Sequence, residues 1–249
     1  MSGHSKWATI KRKKGAADAK RGQLFSKLSR AIIVAAKEGG ADPDANASLA
    51  TAIQKARDNS MPKDNIERAI QRGAGGADGA DYESMLYEGY GAGGVAVICT
   101  ILTDNRNRTA SDLRFIFTKN GGSLGTPGSV AWQFDRKGVI VVDAEGIDED
   151  ALMEVALSGG AEDIAEDGDT WQITTDPHDF MAVRAALEEA GITYTSADLT
   201  MVPQNTVAPS ESEARQILRM IDQLEDNDDV QDVYANFDIS EEVLEAVAG

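Results

Sequence analysis

Residues 138–203 read GVIVVDAEGIDEDALMEVALSGGAEDIAEDGDTWQITTDPHDFMAVRAALEEAGITYTSADLTMVP, with two kinds of apolar pattern in alternation. Short runs rich in Val, Ile and Thr alternate here with two longer runs whose apolar residues recur every three to four positions. These runs predict strands at 139–142, 162–166, 170–174 and 194–201, and helices at 149–157 and 178–190. The order βαββαβ is that of a ferredoxin-like domain, so we predict one such α/β domain here.

The segments on both sides of this unit predict a second α/β domain that it interrupts. Strands and helices are expected at 95–102 (strand), 109–119 (helix), 130–134 (strand), 211–224 (helix) and 230–237 (strand). The last two elements have no partners unless they complete the half-domain that precedes the insert. We therefore predict a discontinuous ferredoxin-like domain of residues 81–136 and 204–249, with residues 137–203 inserted into it.

The first 75 residues predict a helical domain. Apolar residues recur at helical spacing from Ala16 to Lys37, while lysines and arginines fall on another side of the same helix. Two shorter apolar stripes follow, one that begins at Leu49 and one after Pro62. A glycine-rich stretch at 73–80 then predicts a linker. The predicted class is α+β, with a three-helix domain of residues 1–75 before the two α/β domains.

Charge divides the chain into two unequal parts. Residues 1–75 contain 15 basic and 7 acidic residues (+8), so the rest of the chain has 9 of the 24 basic and 35 of the 42 acidic residues (−26). Clustered Lys and Arg release the counterions of a polyphosphate, so nucleic acid is the expected ligand of the basic end. The alternative is an ordinary solvated face or tail.

Composition indicates a globular protein. The single cysteine, Cys99, excludes an intrachain disulfide and a cysteine-rich metal site, and we expect it to pack as a small apolar residue. Trp132 and Trp171 fall in predicted strands and are expected to be buried or half-buried. Neither a signal peptide nor an apolar stretch of about 18 residues is evident, which predicts a cytoplasmic protein without a membrane partner.

Motifs for catalysis and cofactor binding are weak. GYGAGG at 89–94 has the letters of a dinucleotide fingerprint, but it enters a strand instead of opening a helix, so a turn or bulge is expected. His4 lies in a cationic segment, and His178 is expected to cap a helix or face solvent. Acidic runs such as 225–229 lack the spacing of a calcium loop and predict solvated loops and caps. We predict no catalytic residue, no cofactor and no metal site.

Two further features admit two interpretations each. Trp7 stands near Lys6 and Lys11, where its ring could stack on an unpaired base or pack against the first helix. Arg106 and Arg108 lie between a predicted strand and a helix. They belong either to a capped turn or to a second contact point for phosphate or for another domain.

Several segments in one order carry a family resemblance. They are MSGHSKW (1–7), IKRKK (10–14), MPKDNIERAI (61–70), YEGYG (87–91), LTDNRNRT (102–109) and NGG (120–122). With these segments the chain resembles the YebC/PmpR family over its whole length. The resemblance implies a helical N-terminal domain followed by two α/β domains, one of them discontinuous.

The same resemblance implies a nucleic-acid partner. Bacterial members are described as DNA-binding transcriptional regulators, and relatives such as the mitochondrial translational activator of cytochrome oxidase as ribosome-associated factors that help synthesis of difficult sequences. Carried to this chain, the contacts fall on His4, Lys6, Trp7, Lys11, Arg12, Lys13, Lys14, Lys20, Arg21, Lys27 and Arg30. Possible secondary contacts are Arg106 and Arg108. No catalytic residue set is implied.

Our leading hypothesis is a non-enzymatic regulator of gene expression that docks its basic N-terminal domain on nucleic acid. The acidic body should repel a wrapped duplex, so we favour ribosomal RNA and a ribosome-associated role over promoter DNA. A DNA-binding transcriptional regulator is the alternative. A small-molecule sensor, with ligands between paired ferredoxin-like domains, and an enzyme are the remaining classes.

Overall fold

The computed structural model describes residues 18–75 and 82–240, with side chains from residue 21 onward. The helices in these residues are α1 (Asp18–Gly39), α2 (Ala47–Asp58), α3 (Lys63–Ala74), α4 (Arg106–Lys119), α5 (Glu149–Gly159), α6 (Phe180–Glu189) and α7 (Glu211–Glu225). The strands are β1 (Glu83–Tyr90), β2 (Ala96–Thr103), β3 (Ser123–Leu124), β4 (Phe134–Asp143), β5 (Ala161–Asp167), β6 (Thr170–Thr175), β7 (Ser196–Pro203) and β8 (Val230–Ala235). The predicted α+β class is confirmed.

Helices α1, α2 and α3 share one apolar core, which includes Ile32, Leu49 and Ile66. Asn46 joins the first two helices, because its side chain accepts the Leu49 N–H at 3.0 Å and donates to the carbonyl of Ala35 at 2.8 Å. It thereby caps the N-terminus of α2 and ties it to the C-terminal half of α1. The predicted N-terminal helical part is confirmed.

The chain divides into two compact units, one of which is residues 132–206. The other contains the three N-terminal helices and a four-stranded antiparallel sheet in the order β3-β1-β2-β8. Alternate residues of β2 point into a core shared with α4 and α7, where Cys99 and Phe117 are fully buried. Burial raises the pKa of the Cys99 thiol to about 12, so this cysteine packs as an apolar residue, as predicted.

The unit of residues 132–206 has the strand order β5-β6-β4-β7, with every neighbouring pair antiparallel. With α5 and α6 as the two connections, this is the ferredoxin-like arrangement predicted from the sequence. Trp171 is 8% exposed and packs in the core of this unit, which confirms its predicted burial. The insert predicted at 137–203 lies within these bounds.

The prediction of a strand at 130–134 is wrong. Residues Ala131–Gln133 form a 3-10 turn, and the strand begins only at Phe134. The reason is the buried carboxylate of Glu88, which accepts the N–H groups of Gly128 at 2.6 Å and of Val130 and Ala131 at 2.8 Å each. Burial raises the pKa of Glu88, but these three bonds outweigh it and hold the pKa below its ordinary value.

Trp132 is a second correction, because 67% of its surface is exposed instead of half-buried. Its position in the turn before β4 removes it from the alternation of the strand. The GYGAGG segment forms the predicted turn, between β1 and β2, with Gly93 and Gly94 at φ values of 67° and 77°. Among the described residues, no helix is both long and apolar enough to cross a bilayer.

Candidate nucleic-acid interface

Much of the predicted contact set lies outside the described residues. This holds for His4, Lys6, Trp7, Lys11, Arg12, Lys13 and Lys14, and for the side chain of Lys20, whose backbone lies in the first turn of α1. The structure places the side chains of Arg21, Lys27 and Arg30 on α1 and those of Arg106 and Arg108 at the start of α4.

One face of α1 contacts residues 225–232, which we call the acidic segment. Gln23, Lys27 and Arg30 are spaced by four and three positions, so they share this face. Gln23 Nε2 donates to the Asp226 carbonyl at 2.6 Å, Lys27 Nζ to the Glu225 carbonyl at 2.5 Å, and Arg30 Nη1 to the Asp228 carbonyl at 2.6 Å. The carbonyls at the C-terminus of α7 carry the negative end of the helix dipole, which favours cationic partners.

Lys27 is buried by this contact and is only 8% exposed. Burial lowers the pKa of its ammonium group, although the carboxylates of Glu225 and Asp228 act in the opposite direction. A lysine with its charge this far from solvent needs anionic partners, and the acidic segment supplies them. In this arrangement Lys27 is satisfied from within the chain.

A second ion pair joins the helical part to the same segment. Lys55 Nζ on α2 lies 2.7 Å from Asp232 Oδ1, and the Asp232 backbone N–H donates to the Thr100 hydroxyl at 3.0 Å. Burial raises the pKa of Asp232, but the charge of Lys55 and its hydrogen bond outweigh burial and lower that pKa overall. Cations of both α1 and α2 therefore bind the acidic segment.

Asp229 connects the acidic segment to α4. Its carboxylate accepts hydrogen bonds from Arg108 at 2.9 Å, from Thr109 at 2.8 Å and from Thr103 at 3.2 Å. Burial raises the pKa of Asp229, which is 5% exposed, but the bonds from Arg108 and Thr109 outweigh burial and lower it. Arg30 also approaches this carboxylate, at 3.5 Å.

The capped-turn interpretation of the 102–109 segment is confirmed. Asn105 caps α4, since its side chain accepts the Arg108 N–H at 3.1 Å. Arg108 also pairs with Asp104 at 3.0 Å, and Arg106 lies 3.4 Å from Glu83 on the surface. A phosphate contact by these arginines stays a prediction, and Arg106 is the more exposed of the two.

Sequence reasoning missed a set of exposed cations on the other helices of the N-terminal part. They are Arg57 on α2 and Lys63, Arg68 and Arg72 on α3. Arg68 and Arg72 are one helical turn apart and lie away from Ile66 and Ala69, which are buried. The apolar period of α3 would have revealed this solvent-facing pair.

The chain matches known protein families over nearly its whole length. Residues 5–76 match the TACO1/YebC N-terminal domain, and residues 82–237 match the second and third domain of the same proteins. The chain belongs to the TACO1/YebC family. The resemblance to YebC/PmpR proteins drawn from short motifs is thereby confirmed for nearly the whole chain.

Relatives of this TACO1/YebC protein match it from end to end. A protein of Rubrobacter xylanophilus is 66% identical over 250 residues, and one of Desulforapulum autotrophicum is 55% identical over 247, with 99% or more of each chain covered. Both are named probable transcriptional regulatory proteins. The crystal structure of a conserved hypothetical protein from Aquifex aeolicus is similar, with a TM-score of 0.80 and 46% identity over 90% of this chain and 93% of that one.

Proposed function

We propose that this TACO1/YebC protein is a non-enzymatic regulator of gene expression that binds nucleic acid through its basic N-terminal part. The observation that carries the proposal is the charge division, +8 in residues 1–75 against −26 in the remainder. Phosphate contacts supply most of the non-specific affinity of a nucleic-acid-binding protein, so the contact belongs where the cations are. The acidic body stays off the polyanion.

The helical part supports this proposal with cations that face solvent. Arg57, Lys63, Arg68 and Arg72 are all exposed, although Lys63 lies 3.6 Å from Glu67. Exposed arginines of this kind bind phosphate oxygens and position a protein on a nucleic acid. They extend the predicted contact beyond the basic residues at the start of the chain.

We favour RNA on the ribosome as the target. A body of charge −26 repels the flanks of a duplex that bends around the protein, but it tolerates a compact RNA bound at one end. Contacts of lysine and arginine side chains with phosphate do not distinguish one base sequence from another. Such contacts suit a target that is recognised by its shape. A ribosome-associated translation factor is the function that these properties support best.

A DNA-binding transcriptional regulator is the second candidate. The relatives from Rubrobacter and Desulforapulum, which are named probable transcriptional regulatory proteins, favour it. Duplex DNA offers the same phosphates to the basic N-terminal part, so charge alone does not separate the two targets.

Crosslinking in cells followed by sequencing of the bound DNA and RNA distinguishes these functions. We expect ribosomal RNA to be enriched over promoter segments, because the acidic body disfavours a wrapped duplex. The matched control is a variant with the exposed arginines Arg57, Arg68 and Arg72 changed to Ala. We expect less crosslinked RNA and less crosslinked DNA with this variant than with the wild type. Enrichment of promoter DNA would replace the first candidate by the second, and recovery of neither would contradict both.

A further inference from the structure

Two of the predicted nucleic-acid contacts, Lys27 and Arg30, are occupied from within the chain. The Lys27 ammonium donates to the Glu225 carbonyl, and the Arg30 guanidinium donates to the Asp228 carbonyl, both at hydrogen-bond distance. Only 8% of Lys27 and 20% of the Arg30 side chain are exposed. A phosphate therefore reaches these groups only after the acidic segment has moved away.

The acidic segment has the chemistry of a polyanion. It presents the carboxylates of Asp226, Asp228, Asp229 and Asp232 within seven residues, next to the carbonyls at the negative end of α7. Lys55 adds a third cation to the contact through its ion pair with Asp232. The segment offers these cations charge and oxygen acceptors similar to those of a phosphate backbone.

The contact between the helical part and the acidic segment is polar, so the two can separate without the loss of an apolar core. In residues 21–75 and 82–240, the helical part and the α/β part have separate apolar cores with no residue in common. The bonds from Gln23, Lys27, Arg30 and Lys55 to the acidic segment are polar or ionic. Such bonds are exchanged for solvent, salt or another anion at much lower free energy than an apolar core.

We propose that the acidic segment is an autoinhibitory element, which covers the basic face of α1 until nucleic acid displaces it. This inference rests on the proposed function and adds to it a regulation of the same surface. Only molecules in which the acidic segment has moved away can bind RNA through this face. The apparent affinity is therefore the affinity of this open state multiplied by the fraction of molecules that are open. Displacement frees Lys27, Arg30 and Lys55 for phosphate contacts.

The test compares two triple variants that change the net charge equally. The first, Glu225→Gln with Asp228→Asn and Asp232→Asn, weakens the contact and leaves Asp229 in place. The second, Glu38→Gln with Asp42→Asn and Asp44→Asn, removes three exposed carboxylates of the helical part that lie outside the contact. Binding of a 20-nucleotide single-stranded RNA of mixed sequence is measured by fluorescence anisotropy with full-length proteins.

We expect the first variant to bind RNA about 10-fold more tightly than the second, which corresponds to an open fraction of about one tenth in the wild type. Equal affinities of the two variants, with a wild type that binds RNA, would overturn the autoinhibition and leave the proposed function intact. Absence of RNA and DNA binding by all three proteins would instead contradict the proposed function.

A measurement on the wild-type protein covers the case in which the variant does not fold. Lys55 Nζ and Asp232 Oδ1 are 2.7 Å apart, so a carbodiimide should join them in an amide bond without a spacer, and mass spectrometry quantifies the product. Saturation with the RNA should lower the yield of this crosslink at least 5-fold, because the pair separates in most molecules. An unchanged yield at saturating RNA would contradict displacement of the acidic segment.

Discussion

Replacement of Lys11, Arg12, Lys13 and Lys14 by Ala is expected to weaken binding of single-stranded RNA about 100-fold at physiological salt. These four cations are adjacent in sequence, in the region with the highest positive charge density of the chain. Each phosphate contact on a single strand contributes about 0.7 to the slope of log affinity against log salt. Loss of four contacts should therefore reduce the slope by about 3.

Fluorescence anisotropy titrations over a series of KCl concentrations measure both quantities. The matched control changes Arg114, Lys119, Arg215 and Arg219 to Ala, which removes the same charge from the acidic body. We expect this control to retain the wild-type salt slope. An unchanged affinity and slope in the first variant would show that residues 11–14 make no phosphate contact.

Replacement of Asp229 by Ala is expected to lower the free energy of unfolding by about 2–3 kcal/mol. The change removes one acceptor of the Thr109 hydroxyl, which can still donate to the Asn105 carbonyl. It also removes one of the two carboxylates that bind Arg108 and leaves Asp104. Partial exposure of Arg108 limits the loss, because water screens the charge that has lost one of its two carboxylate partners. Urea denaturation followed by circular dichroism measures the change.

The adjacent Asp228 supplies the matched control. Its side chain is exposed and accepts one bond from the residues that the structure describes, from Gln23 at 3.3 Å, so Asp228→Ala should cost no more than about 0.5 kcal/mol. Similar losses in the two variants would contradict the structural role assigned to the Asp229 carboxylate.

The same residue predicts a dependence of stability on pH. The folded-state pKa of Asp229 is lowered, so its carboxylate contributes stability above the unfolded-state pKa of about 3.9 and loses that contribution as the pH falls through the folded-state value. The stability difference between the wild type and Asp229→Asn should be constant above about pH 5 and should shrink below about pH 4. A difference that stays constant down to pH 3 would show that the pKa of Asp229 is not lowered.

The insert was predictable because its signals are local. The alternation of Thr170 to Thr174 and the glycines at the C-terminal end of α5 act within a few residues, and they predict the order of strands and helices. The boundaries of the helices and strands differ from the predicted ones where a side chain binds the backbone and forms a turn. Helix α6 begins at Phe180 and not at His178, because Asp176 accepts the His178 N–H at 2.9 Å and forms a turn there.

The parts that sequence could not predict depend on residues far apart in the chain. Strand β1 was missed because its inward residues, Met85 and Tyr87, alternate with Leu86, which is 40% exposed, so the pattern is not that of a half-buried strand. The contact of Lys27 with Glu225 joins residues 198 positions apart. The charge pattern predicts a cationic face on α1, but only the fold determines which anion meets it.

Photo-crosslinks between the full-length protein and RNA, mapped by mass spectrometry, identify the residues that contact the nucleic acid. After irradiation and digestion, we expect nucleotide adducts on peptides from residues 1–75. At saturating RNA, which displaces the acidic segment, these adducts should include the region of Lys27 and Arg30. Peptides of residues 132–206 should remain unmodified. Adducts concentrated in residues 132–206, with none in residues 1–75, would contradict binding through the basic N-terminal part.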